Sequence, residues 1–141
     1  MNRIDFYVLR DDDPEARWQF AGRLADKARR LGHQVLVVVD SAEAARQLDD
    51  FLWARPEESF LPHRVLGDAS APPAGVEIAP ADDLGEHSGV LVNLSQSVPE
   101  AFERFERLAE IVIQAPDVLK TTREHFGFYK ARGYPVNHQK L

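Results

Sequence analysis

The chain has 141 residues, with 17 Lys and Arg against 23 Asp and Glu, a formal charge of -6 and no cysteine. That length lets one domain bury roughly 68 to 70% of its unfolded surface without staples. The lack of thiols excludes disulfides, thiolate zinc sites and cysteine nucleophiles, and fits a cytoplasmic setting. The acidic balance argues against broad binding to nucleic-acid backbones, and no apolar run reaches the roughly 20 residues that a membrane-spanning helix requires.

Arg3 to Leu9 alternates and then runs apolar, which predicts a strand. Asp11-Asp12-Asp13-Pro14-Glu15 supplies a helix start, with Asp13 as N-cap and Pro14 in the first helical position. The acidic triplet reads better as a favourable charge at a helix N-terminus than as a metal site, because no second acidic or histidine cluster stands out as a partner. The helix carries Trp18, Ala21, Leu24, Ala25, Ala28 and Leu31 on one face, and Gly32 ends it. Val35 to Val39 is a continuous β-branched and aliphatic run, the mark of a strand covered on both faces in a parallel sheet. The loop between the first strand and its helix holds neither a glycine-rich dinucleotide fingerprint nor a Walker lysine, so a phosphate there would meet carboxylates.

Asp40 with Glu43 three residues on reads as a capping box for a helix through Ala44, Ala45, Leu48, Phe51 and Leu52. Pro56 stops it and leaves Trp53 in the last turn. Arg55 and Leu61 each precede a proline and favour extended backbone, so the stretch presenting Trp53, Phe60, Pro62 and His63 is a stiff aromatic loop. On residue type alone Trp53 and Phe60 suit a core as well as an interface anchor. Between Gly67 and Gly85 only Val76 to Ala79 reads as a strand, and Asp68 to Gly75 as a solvent loop. Gly89 to Leu94 is a further buried strand, Pro99-Glu100 opens a helix with Phe102, Phe105 and Leu108, Ile111 to Ile113 is another strand, and Ala115-Pro116 opens the last helix. The alternation predicts an α/β chain: a single three-layer α/β/α domain, residues 1–141, with a largely parallel, Rossmann-like sheet.

From Lys120 onward the chain places Lys120, Arg123, Lys130, Arg132 and Lys140 against Glu124 alone, a local surplus of four positive charges in an acidic protein. Phe126, Phe128, Tyr129 and Tyr134 are interleaved with them, and the spacing of Arg123, Phe126 and Lys130 puts cation, ring and cation on neighbouring turns. Such a face can complement the helix dipole over a core-facing aromatic stripe, or it can hold an acidic peptide with an apolar end. The five histidines stand singly, with no elbow, relay or H-E-x-x-H pattern; His63 reads as a structural residue bonded to its own loop. No cofactor or metal is implied, and the rival class is a Rossmann-type enzyme binding a small molecule or nucleotide.

The wording LDDFLWARPEESFLPHRVLG, the opening strand Ile4 to Leu9, and the closing Arg123-Glu124 and Tyr129-Lys130 helix ending at Gly133-Tyr134 resemble the chi subunit of bacterial DNA polymerase III over the whole chain. The resemblance implies a non-catalytic accessory subunit joining the clamp loader to single-stranded DNA-binding protein. It implies binding of the psi subunit, or of a helicase-like protein in its place, through Trp53, Arg55, Pro56, Phe60, Pro62 and His63. It also implies binding of the acidic, phenylalanine-ending tail of single-stranded DNA-binding protein through Lys120, Arg123, Phe126 and Lys130. Where the family often has a lysine after the aromatic, this chain has Gly127.

Overall fold

The computed structural model describes residues 1–54, 61–71 and 74–141. In chain order these form β1 (Arg3–Val8), α1 (Pro14–Arg30), β2 (Val35–Val39), α2 (Ala42–Trp53), β3 (Arg64–Val65), β4 (Val76–Pro80), β5 (Val90–Asn93), a 3-10 turn (Glu100–Arg104), β6 (Arg107–Val112), α3 (Pro116–Ala131) and β7 (Val136–Lys140). The strands make one seven-stranded sheet in the order β3-β4-β2-β5-β6-β1-β7, with every pair parallel.

Side-chain alternation divides the core into two layers. Val35, Val37 and Val39 of β2 face α1 and α2, where Ala21, Ala25, Ala45, Leu48 and Phe51 cover them. Leu36 and Val38 face the other side with Ile4, Phe6, Phe102, Phe105 and Tyr129. All five β2 residues are buried, so the uninterrupted apolar run is explained by helices on both faces and the expected α/β/α layering is present.

Asp13 caps α1 by accepting from the Glu15 amide at 2.9 Å, and Gly32 leaves the helix at φ 93°. Leu31, expected on the buried stripe, is instead 67% exposed: the helix ends at Arg30, and the cap residue no longer follows the face that meets the sheet. The capping box at Asp40 is also corrected. The Asp40 carboxylate accepts from the Gln96 amide at 2.7 Å, so Ser41 caps α2 by accepting from the Ala44 amide at 3.1 Å. Glu43 is then free to pair with Arg46.

Two strands escaped the sequence reading. β3 is two residues long, and β7 reads VNHQK, which has no apolar alternation because it pairs only with β1 at the sheet edge. The helix expected through Leu108 is only the 3-10 turn to Arg104. From Arg107 onward the backbone pairs with β5 on one side and β1 on the other, and two ladders outweigh a helical spacing of apolar residues. At the head of β5 the Val90 amide donates to Gln34 O at 2.9 Å, and a Cβ on Gly89 would run into that same carbonyl oxygen.

Candidate partner-binding surfaces

Trp53 ends α2 with 45% of its surface exposed. Its inner face stacks on the His63 ring, with centroids 4.2 Å apart and planes 25° from parallel. His63 is buried; Nδ1 donates to Leu61 O at 2.6 Å, and Nε2 stands 3.4 Å from Asp49 O and 3.3 Å from Asp49 Oδ1. Burial pushes the Asp49 carboxyl upward, while His63 and the Trp53 indole one turn along oppose that rise. The histidine is therefore a rigid back wall for the indole, in the loop-holding position that its sequence context suggests. Pro62 beside it is half-buried. Arg55, Pro56 and Phe60 lie outside the described residues.

The second surface is built on a row that crosses the sheet. Strand register aligns Asn93 of β5, Glu110 of β6, Phe6 of β1 and His138 of β7, and α3 lies over that row. At its inner end a buried polar cluster holds α3 down. The His125 Nδ1 lies 3.0 Å from Glu110 Oε2, Nε2 donates to Gln96 O at 2.9 Å, and the Tyr129 hydroxyl donates to Glu110 Oε2 at 2.7 Å. Asn93 Nδ2 donates to the same carboxylate oxygen at 3.1 Å. Burial, followed by the charge of Glu110, drives the Tyr129 pKa far up, so this phenol stays a hydrogen-bond donor.

At the outer end of the row Phe126 is half-buried. Its ring meets Phe6 edge-on at 6.1 Å and His138 at 5.1 Å, and His138 stacks on Phe6 at 5.3 Å. Lys130 Nζ stands 5.9 Å from the Phe126 centroid. Arg123 and Lys130 are exposed, and neither forms an ion pair among the described residues. Arg132, by contrast, is taken up by Glu103 at 3.7 Å and by the Phe128 face at 4.4 Å. A Cβ at Gly127 would meet nothing within 4 Å, so solvent space flanks this cluster on the helix.

Arg123, Phe126 and Lys130 are thus brought together, whereas Lys120 is not. At about 100° per residue it lies roughly 120° around the helix from Phe126. It lines a crevice of about 320 Å³ with Arg17, Asp40, Asp117 and Glu124 at the carboxyl ends of β2 and β5. Lys140 stands on β7 and not on the helix. His138, which stacks on Phe6 beside Phe126, was not singled out from sequence, because only the pairing of β7 with β1 brings it to Phe6.

The crevice at Lys120 lies where connections leave β2 and β5 for opposite faces of the sheet, the place where open parallel sheets bind small ligands. Its walls do not suit a phosphate. Asp40, Asp117 and Glu124 line it, and Arg17 spends Nε and Nη1 on the carbonyls of Ile111 and Leu94 at 2.8 and 3.2 Å. No group of three or more histidine or acidic side chains is placed to hold a metal among the described residues, and none of the helices there is long and apolar enough to cross a membrane.

Comparison with known proteins places the chain among the accessory, non-catalytic subunits of a replicative DNA polymerase. The family model described as DNA polymerase III chi subunit, HolC, matches residues 1–137. The chain is 38% identical to the DNA polymerase III subunit chi of Pseudomonas aeruginosa, covering 100% of this chain and 98% of that protein. It is 30% identical to the Escherichia coli subunit chi, with 97% of each covered, and 28% identical to that of Haemophilus influenzae, with 96% and 95% covered. The chain belongs to the DNA polymerase III chi subunit family.

Proposed function

We propose that this accessory subunit bridges two partners: the psi subunit of the clamp-loader assembly at the Trp53 edge, and the acidic, phenylalanine-ending tail of single-stranded DNA-binding protein at the outer face of α3. A helicase-like protein would compete with psi for the Trp53 edge, and nucleic acid itself would be contacted little. The observation that carries the reading is the pairing of two exposed cations, Arg123 and Lys130, neither in an ion pair among the described residues, with the half-buried Phe126 ring over Phe6 and His138. A tail ending in phenylalanine offers a ring for that apolar corner and a carboxylate that a guanidinium can grip with two parallel bonds. Removing that ring from water contributes roughly 1.5 to 3 kcal/mol if it is fully buried. Local charge decides the encounter, because physiological salt screens the acidic remainder of the surface beyond about 8 Å.

The test is a titration of a labelled tail peptide against wild type, Arg123→Ala, Phe126→Ala and Lys140→Ala at two salt concentrations. Arg123→Ala should weaken binding more than Lys140→Ala, and a peptide without its last phenylalanine should bind worst of all. Phe126 also packs on Phe6, so its variant needs an unfolding curve beside the titration. Equal affinities across the four proteins would sink the tail site.

A further inference from the structure

On the face of the sheet that carries α1 and α2, the two helices leave the β1–β7 side open. Seven strands at about 4.8 Å spacing span roughly 29 Å, the width of about three helices packed side by side at 8 to 10 Å. Helix α1 packs over β2, β4, β5 and β6, and α2 over β2, β3 and β4. Phe20 of α1 reaches as far as Tyr7 of β1, with ring centroids 5.4 Å apart, and no described helix lies beyond it. What remains is a groove of about 550 Å³, walled by α1 and floored by β6, β1 and β7.

Its chemistry is two-sided. Tyr7, Phe20, Leu24 and Ala109 form the apolar part, and Leu31 and Leu141, 67% and 51% exposed, stand at its margin. Among the described residues only Trp53 joins these two as an exposed large apolar side chain. A soluble surface rarely gathers such residues around one depression without a use for them. Four cations surround it. Register sets Arg107 beside Arg3 across β6 and β1, while Arg23 and Lys27 stand one turn apart on α1. Among the described residues the only acid lining the groove is Asp5, which is 2% exposed and already held by Arg3 at 2.9 Å and Arg107 at 3.7 Å. The groove therefore presents a positive rim in a protein of charge -6.

We propose that this groove is a third docking surface, and that it takes an acidic amphipathic helix of a partner protein lying alongside α1. An apolar stripe at i, i+3/i+4 and i+7 would complete the helical layer over β1, while flanking Glu or Asp meets Arg23 and Lys27 on one side and Arg3 and Arg107 on the other. Single-stranded nucleic acid is the less favoured occupant: it asks for aromatic faces open to stacking, and here Tyr7 and Phe20 lean on each other while the rest of the apolar part is aliphatic. This surface is distinct from the two partner sites proposed above, so its test stands apart from theirs.

The experiment is selection of a displayed library of peptides about four turns long against the intact protein, followed by titration of the enriched peptides as synthetic, labelled helices. Enriched sequences should be acidic and amphipathic. Binding should fall about tenfold or more in Arg23→Glu/Lys27→Glu and in Leu31→Asp, all exposed positions whose variants are checked by thermal unfolding. It should be unchanged in Trp53→Ala and Arg123→Ala. The proposal is overturned if no acidic helix is enriched, if the groove variants bind as wild type does, if the losses appear in Trp53→Ala or Arg123→Ala instead, or if an oligothymidylate binds the groove where the peptides do not. Self-association abolished by the groove variants would also overturn it, by assigning the face to a second copy of the chain.

Discussion

At the scale of single residues, Trp53 and His63 share one ring stack but have opposite duties. Trp53 is 45% exposed, whereas His63 is 3% exposed and bonded to its own loop. Trp53→Ala should weaken psi binding by about 2 kcal/mol or more, the order of an interface hot spot, with little change in the unfolding midpoint. His63→Ala should lower stability by about 1 to 3 kcal/mol, because it leaves the buried Leu61 carbonyl without its donor and removes the ring under the indole. Calorimetric titration and urea unfolding of both variants separate these effects, and a Trp53→Ala protein that unfolds would place the indole in the core. Gly127 offers a gain in place of a loss. Its site is open, and replacing a mid-helix glycine removes roughly 0.5 to 1 kcal/mol of helix penalty. Gly127→Lys should therefore raise both the unfolding midpoint and the affinity for the tail peptide; a stability gain without an affinity gain would show that the cations at Arg123 and Lys130 already suffice.

At the scale of elements, α3 is held to the sheet by the His125–Glu110–Tyr129 cluster. Burial by itself lowers the His125 pKa, but the hydrogen bond and charge of Glu110, helped by the Gln96 carbonyl and Glu124, outweigh it and hold the pKa above the ordinary value. Protonated, the imidazole has a donor for each acceptor it faces. Because the folded pKa lies above the unfolded value near 6.5, the stabilisation is complete below about pH 6.5 and fades as pH rises through the folded pKa. The stability difference between wild type and His125→Gln, measured by urea unfolding across a pH series, should be largest on the acid side and shrink above that point. A difference that stays constant with pH would mean the ring acts by packing alone. A second elemental constraint is Gly89, where Gly89→Ala drives a methyl group into the Gln34 carbonyl oxygen and breaks the seam between β5 and the start of β2. A loss of about 1 to 3 kcal/mol is expected from such crowding.

At the scale of the whole molecule, the two proposed partner surfaces stand on opposite faces and towards opposite edges of the sheet. Helix α2 packs over β4, β2 and β3, and α3 over β6 and β7 on the other side. From β4 to β1 is four strand spacings, or roughly 20 Å. Sites that far apart with no shared side chain act independently. The double variant Trp53→Ala/Arg123→Ala should lose each partner by the amount its single variant does, and wild type should bind psi and the tail peptide at once without either changing the other's affinity. A coupling above about 0.5 kcal/mol in a competition titration would contradict this.

Features that depend on neighbours a few positions apart were legible in the local sequence. Asp13-Pro14 started α1, the valine run at β2 required cover on both faces, α2 ended with Trp53 in its last turn, and the surplus of cations after Lys120 was countable. The resemblance to the chi family was also carried by contiguous wording. Tertiary structure alone decided the rest, because it rests on register between strands far apart in the chain. Phe6 meets His138 across β1 and β7, and Glu110 meets Phe6 and Asn93 across three strands, which no local periodicity encodes. The short β3 and the polar β7 exist through pairing with one neighbour and carry no propensity of their own to announce them. The Asp40–Gln96 bond likewise moved the α2 cap to Ser41. In each case a long-range contact overrode a sound local reading, since a ladder or a buried hydrogen bond is gained only when the whole sheet is assembled.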